Sequence, residues 1–192
     1  MTAQDVLDFW FLPPGTEGYG TPRDEWFRKN DAFDTVIRER FATVVEQAVA
    51  GGLREWDRQG ARGVVARILL LDQFTRNAFR GKPASFAGDG LALVAAKQLL
   101  EGRSDLELLP VQRWFAYLPF EHAEDMAMQE QSVTLFTALT AASAQLKGAL
   151  DYAIRHRAVI ARFGRFPGRN AALGRVSTPE EVAYLAQGGS GF

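Results

Sequence analysis

Apolar residues in this chain recur at spacings of three and four, and proline or glycine interrupts the pattern at intervals from one end to the other. Phe33, Ile37, Phe41, Val44, Val45 and Ala48 illustrate it: they mark one face of a long helix that stops at Gly51-Gly52. Strand-like alternation is scarce, so the spacing predicts an all-α chain. An opening helix is expected over Ala3–Phe11, with Thr2 as cap, Asp5 completing a capping box and Pro13-Pro14-Gly15 as the stop. A third helix is expected over Ala61–Arg76, and a fourth from Gly90 to Glu101. A short one runs from Pro110 to Tyr117, closed by Pro119. The segment Phe120–Ser143 lacks Pro and Gly and reads as one long helix, followed by Leu146–Phe163, which stops at Gly164. Thr178, Pro179, Glu181 and Gly188 signpost a last helix. About eight helices on short loops predict an antiparallel helix-pair array. No 34-residue self-similarity marks it as a regular repeat. Residues 1–187 are expected to form one domain, and residues 188–192 a loose, flexible tail.

Composition narrows the class of partner. A chain of 192 residues, 47% hydrophobic, can bury a full core. Its formal net charge of -1 argues against a nucleic-acid or membrane-surface binder, which needs a basic excess. Cysteine is absent, which excludes disulfides and thiolate chemistry and suits a cytoplasmic location. The first residues, MTAQDVLDFWFLPPG, lack the positive start of a secretory signal. No apolar run approaches the roughly 20 residues of a membrane helix.

The sharper information lies in polar residues that fall on apolar faces. On a helical wheel through Leu146–Phe163, His156 sits at the centre of an arc formed by Tyr152, Val159, Phe163, Ala149, Ile160 and Ala153. Over Phe120–Ser143, His122, Asp125, Gln129 and Ser132 share the arc of Met126, Val133, Phe136 and Leu139, with Glu121 at its edge. In the third helix Asp72 lies between Val65 and Ile68 on the wheel, and Arg76, four residues on, can pair with it. Both histidines and two aspartates therefore point inward. A buried charge without a partner is expensive, so these groups should meet each other or a ligand. A satisfied structural network and a functional pocket both fit that pattern.

Charge is also segregated near the C-terminus. From Pro119 to Leu146 there are four acids, Glu121, Glu124, Asp125 and Glu130, and no Lys or Arg. From Arg155 to Arg175 there are six arginines and no acid. Salt bridges between consecutive helices are one outcome. The other is an anion cradle of Arg165 and Arg169 beside Gly164 and Gly168 in the stretch RFGRFPGRN. That stretch lacks the spacing and Lys-Ser/Thr ending of a P-loop, Glu121-His122 lacks the second histidine of HExxH, and Gly15-Gly18-Gly20 follows a helix rather than a strand. Zinc, manganese or iron on His122, Asp125, His156 and Asp72 is chemically permissible. No compact spacing demands it, and neither metal nor cofactor is expected.

Three stretches, LLLDQFTRNAFRG (Leu69–Gly81), FAYLPFEHAEDMAMQEQSVTLF (Phe115–Phe136) and HRAVIARFGRFPGRNAALGRVSTPEE (His156–Glu181), carry a family resemblance together with DVLDFWF near the start. With them the chain resembles the bacterial domain-of-unknown-function family 924. The resemblance implies an all-helical, tetratricopeptide-like fold and no established activity, cofactor or substrate. It also implies that relatives often have Pro or Ser where Thr75 stands and His where Gly168 stands, so a mechanism needing three histidines is in doubt here.

The resulting expectation is a soluble all-α protein with one internal pocket. Asp72, Arg76, His122, Asp125 and His156 would line it, Gln73 and Asn77 would rim it, and Arg165, Arg169 and Asn170 would sit at its mouth. It would bind a small anionic ligand or an acidic peptide, without nucleic acid or membrane. In the alternative it is an enzyme in which His122 or His156 acts as general base, oriented by Asp125 or Asp72, on an anionic small molecule.

Overall fold

The computed structural model describes residues 1–189, in which no strand occurs. The helices are α1 (Ala3–Phe11), α2 (Asp31–Val49), α3 (Ala61–Ile68), α4 (Thr75–Ala78), α5 (Asp89–Glu101), α6 (Pro110–Glu121), α7 (Met126–Ala142), α8 (Lys147–Phe163) and α9 (Pro179–Ala186). Short 3-10 turns join several of them, and a π-helical stretch, Leu69–Phe74, runs without a break between α3 and α4. α7 packs on α8 and on α6 most extensively, while in the N-terminal half α1 packs on α3 and α2 on α4, an all-helical array of packed pairs.

The helix ends follow the expected signals. Thr2 N donates to Asp5 Oδ2 at 2.6 Å and Asp5 N donates to Thr2 Oγ1 at 3.2 Å, closing the capping box of α1. The same reciprocal pair, Thr178 with Glu181, opens α9. Gly164 takes φ 69° to end α8, where its N–H bonds the Ile160 carbonyl. Gly188 and Gly189 hydrogen-bond back onto α9, and residues 190–192 of the expected tail lie outside the described residues.

Two halves of the core differ in character. Toward the N-terminus, Trp10, Trp26, Phe33, Phe41, Phe74 and Phe115 form an aromatic cluster with ring centroids 4.8 to 6.2 Å apart. Trp26 Nε1 and Arg23 Nη1 donate to the Trp10 carbonyl and close the open end of α1. Toward the C-terminus, Gln129, Ser132 and His156 are buried among Phe136, Leu139, Ala153, Val159 and Ile160.

The expected Phe120–Ser143 helix is in fact two elements. α6 continues through Pro119 to Glu121, His122 caps it, and α7 starts only at Met126. Proline removes one backbone donor, yet Phe115, Tyr117, Leu118 and Phe120 around Pro119 are all buried and hold the segment in place. Tyr152, expected on the buried arc of α8, is exposed.

Candidate functional site

The site begins in the π-helical stretch. Widening the backbone frees carbonyls from their ordinary helical partners, and side chains serve them here. Thr75 Oγ1 donates to the carbonyls of Leu71 at 2.9 Å and Asp72 at 3.2 Å, and Arg76 Nη1 donates to the Asp72 carbonyl at 2.8 Å. This fixes Asp72 at 0% exposure in the interior. Its carboxylate is then shared three ways: His122 Nδ1 lies 2.6 Å from Oδ1, Arg76 Nη1 lies 3.2 Å from Oδ1, and Gln73 Nε2 donates to Oδ2 at 2.6 Å.

A second wall comes from α5. Gly88 packs directly on the π stretch: a Cβ there would lie 2.2 Å from the Leu71 carbonyl oxygen. That close approach brings Asp89, the first residue of α5, to Arg76, with contacts of 2.7 Å and 3.0 Å. Arg169 reaches the same carboxylate at 3.1 Å from the turn after α8. Two guanidinium groups thus meet on one aspartate. The Arg169 Cζ also lies 4.9 Å from the Phe86 ring centroid and 4.4 Å from that of Phe166, while its Nε is buried without a hydrogen-bond partner among the described residues.

The third wall is the corner between α6 and α7. Gln129 Nε2 donates to the carbonyls of Glu121 at 2.7 Å and Ala123 at 2.8 Å, which caps the end of α6 and locks His122 between them. Glu121 Oε1 lies 3.0 Å from His156 Nδ1, which also bonds the Tyr152 carbonyl at 2.8 Å. The two imidazole centroids are 6.0 Å apart. The side chains of Asp72, Glu121, His156 and Arg169 are at most 5% exposed, whereas those of His122, Arg76 and Asp89 are 12%, 19% and 21% exposed. The cluster is closed on the α8 side and reaches solvent past Arg76 and Asp89.

Burial works against every charge here, and the neighbours decide which survive. Burial pushes Asp72 up, but Arg76, His122 and Gln73 outweigh it and hold the carboxyl below the usual range. Glu121 has no such help: burial and the nearby Asp72 charge raise it well above an ordinary carboxyl. Burial lowers His122 against the opposing pull of Asp72. Burial, then His122 and the arginines, lowers His156 to about 3. Burial and Arg76 lower Arg169 to about 10. At neutral pH the His156 imidazole is therefore uncharged, and His122 is biased toward its neutral form.

Of the residues singled out from sequence, Asp72, Gln73, Arg76, His122, His156 and Arg169 converge. Four do not. Asp125 is exposed and caps α7 by accepting from Met128 N at 3.0 Å, because the helix starts one residue after it. Asn77 turns to Asp34, which it meets at 2.7 Å beside Arg80. Arg165 forms a bidentate pair with Glu181 at 2.7 Å and 2.8 Å, and Asn170 joins the same carboxylate at 3.2 Å. No cradle of Arg165 with the Gly164 amide forms, since Arg165 is committed to Glu181 of α9 and the Gly164 N–H to the Ile160 carbonyl of α8. Two of the segregated arginines find acids of the other segment, Arg157 with Glu130 and Arg175 with Glu124, while Arg162 pairs with Glu180.

Two members of the cluster stand outside the site expected from sequence, Glu121 and Asp89. Glu121 was visible as an acid beside a histidine at the edge of an apolar arc, but the arc belonged to the wrong helix. Asp89 resembles an ordinary first-turn acid, and only the tight Gly88 packing sets it apart. Two surface hollows, of about 460 Å³ and 530 Å³, are lined by none of the cluster residues. Among the described residues no helix is long and apolar enough to cross a membrane.

The fold is shared with a solved protein of unknown function, ATU0120 from Agrobacterium tumefaciens. The two are 38% identical with a TM-score of 0.82, over 96% of this chain and 97% of that one. No curated protein matches the chain. Residues 6–189 match the family described as bacterial protein of unknown function (DUF924), and the chain, with its helix-pair fold and its Leu69–Gly81, Phe115–Phe136 and His156–Glu181 stretches, belongs to that family.

Proposed function

We propose that this protein binds a small anionic molecule at the Asp72–Arg76–His122–Arg169 cluster. The observation that carries the reading is Arg169. Its guanidinium is buried, crowded by a second guanidinium on a shared carboxylate, and leaves an N–H buried without an acceptor among the described residues. A buried guanidinium with an unmet N–H is stabilised by an incoming carboxylate or phosphate, which takes charge-assisted hydrogen bonds from it. The limited opening past Arg76 and Asp89 suits a small molecule better than a peptide. The absence of cysteine fits a cytoplasmic site of action.

The test is thermal unfolding of the whole chain with inorganic phosphate and a panel of small carboxylates. At about a hundred times its dissociation constant, a specific anion adds about 2.7 kcal/mol of stability. Its stabilising effect should vanish in Arg169→Gln. No stabilisation by any member of the panel, or equal stabilisation of wild type and variant, contradicts the reading.

The Asp72–His122 contact of 2.6 Å supports a second reading. A carboxylate on Nδ1 orients an imidazole whose other nitrogen can accept a proton from a bound substrate. On this reading His122→Asn removes turnover of an anionic substrate while its binding persists. Retained turnover in that variant counts against it.

A further inference from the structure

Within the cluster, Arg76 and Arg169 are matched by two carboxylates, Asp72 and Asp89. Glu121 stands outside that balance. Its Oε1 faces His156, but its Oε2 is buried with no hydrogen-bond partner among the described residues. In its charged form a carboxylate oxygen placed so is costly unless a donor or a cation meets it. One ligand atom each from Glu121, His122 and His156 can be chosen so that all lie within 4.8 Å of one another.

The imidazoles are also preset. The Tyr152 carbonyl can only accept, so the His156 Nδ1 that bonds it, and that Glu121 Oε1 faces at 3.0 Å, carries the hydrogen. The Asp72 carboxylate acts alike on His122 Nδ1. An outer carboxylate or carbonyl on the far nitrogen is the support that metal-bound histidines receive, because it fixes tautomer and ring orientation. Gln129, bonded to the carbonyls on either side of His122, holds the corner that bears two of the three donors.

We propose that Glu121, His122 and His156 form a binding site for a divalent transition metal, with Asp72 and the Tyr152 carbonyl as orienting partners. Two imidazoles and one carboxylate make a donor set that zinc accepts in sites with a coordination position left open. Two nitrogen donors disfavour calcium and magnesium, which prefer all-oxygen shells. The anion-binding reading enters only for the open position, which an anion held by Arg76 and Arg169 would occupy. The three protein donors stand without it. Metal and the general-base reading compete for one atom, His122 Nε2, so metal uptake decides between them.

The experiment uses the whole chain, stripped with a chelator and titrated with Zn²⁺ alone and with Co²⁺ alone. The expected result is one equivalent per chain, with Co²⁺ showing the intense visible bands of a four- or five-coordinate ion. Glu121→Gln should abolish stoichiometric uptake. Asp72→Asn should weaken it by about 10- to 100-fold, the usual effect of losing an outer partner. Arg169→Gln should keep the metal and lose the anion response. The proposal is overturned if the wild-type chain takes up neither ion stoichiometrically or leaves Co²⁺ with a pale six-coordinate spectrum. It is equally overturned if a folded Glu121→Gln chain binds as tightly as wild type. The wild-type cobalt spectrum decides even where a variant fails to fold. Anion stabilisation without metal uptake would remove this inference and leave the binding function in place.

Discussion

Glu181 and Glu121 are both buried glutamates, and their surroundings send them in opposite directions. Glu181 accepts from Arg165, the Thr178 backbone and Asn170, and in that order these contacts lower its carboxyl to about 2 from an ordinary 4.5. Glu121 has burial and a neighbouring aspartate, both of which raise it. The linkage for Glu181 follows from the sign of its shift. A depressed folded pKa contributes stability that is complete above about 4.5 and is lost as pH falls toward about 2. Stability from denaturant unfolding should therefore decline across that window, and Glu181→Gln should flatten the decline. A variant that shows the wild-type acid dependence unchanged would assign the effect to other carboxylates.

At the scale of elements, the approach of α5 to the π-helical stretch is the contact on which the site's geometry depends. Gly88→Ala would drive a methyl group to 2.2 Å from a backbone oxygen that cannot swing away. Overpacking of this kind typically costs about 1–3 kcal/mol, and the shift of α5 should also loosen Asp89 from the arginines. Gly90→Ala, two residues on, meets nothing within 4 Å and should be neutral or stabilising, by up to about 1 kcal/mol. Urea midpoints of the two variants check this pair. Similar midpoints for both would mean that the Gly88 contact relaxes freely.

Elements also show where the sequence was legible. Caps and stops at Thr2, Gly164 and Thr178 act locally, through hydrogen bonds within one turn, and they stand where the pattern put them. His156 lies inside a long helix, where the wheel register is firm, and it is buried as expected. His122 was also placed inward, though on the wrong helix. A proline that usually ends a helix is carried here through its last turns by burial on both sides. Asp125 moved from pocket to cap for the same reason, since the start of α7 shifted by several residues. Asn77, Arg165 and Asn170 were drawn away by Asp34 and Glu181, partners that are 43, 16 and 11 residues distant and outside any local pattern.

Across the whole molecule, an aromatic core near the N-terminus and a polar core built from the π stretch, α5, α6 and α8 share one stack of helices. The polar core gathers groups from segments 50 and 80 residues apart in sequence, Asp72 with His122 and Asp89 with Arg169. Its defining property is burial, near-complete for His156 and partial for His122, that lowers the pKa of both imidazoles. Nitrogen-detected NMR of the two histidine rings in metal-stripped protein tests this most directly, across pH 4 to 8. The account predicts neutral rings with hydrogen on Nδ1, His156 resisting protonation to about pH 3 and His122 titrating below its ordinary value of 6.5. Two rings that each titrate near 6.5, as solvent-exposed imidazoles do, would contradict it.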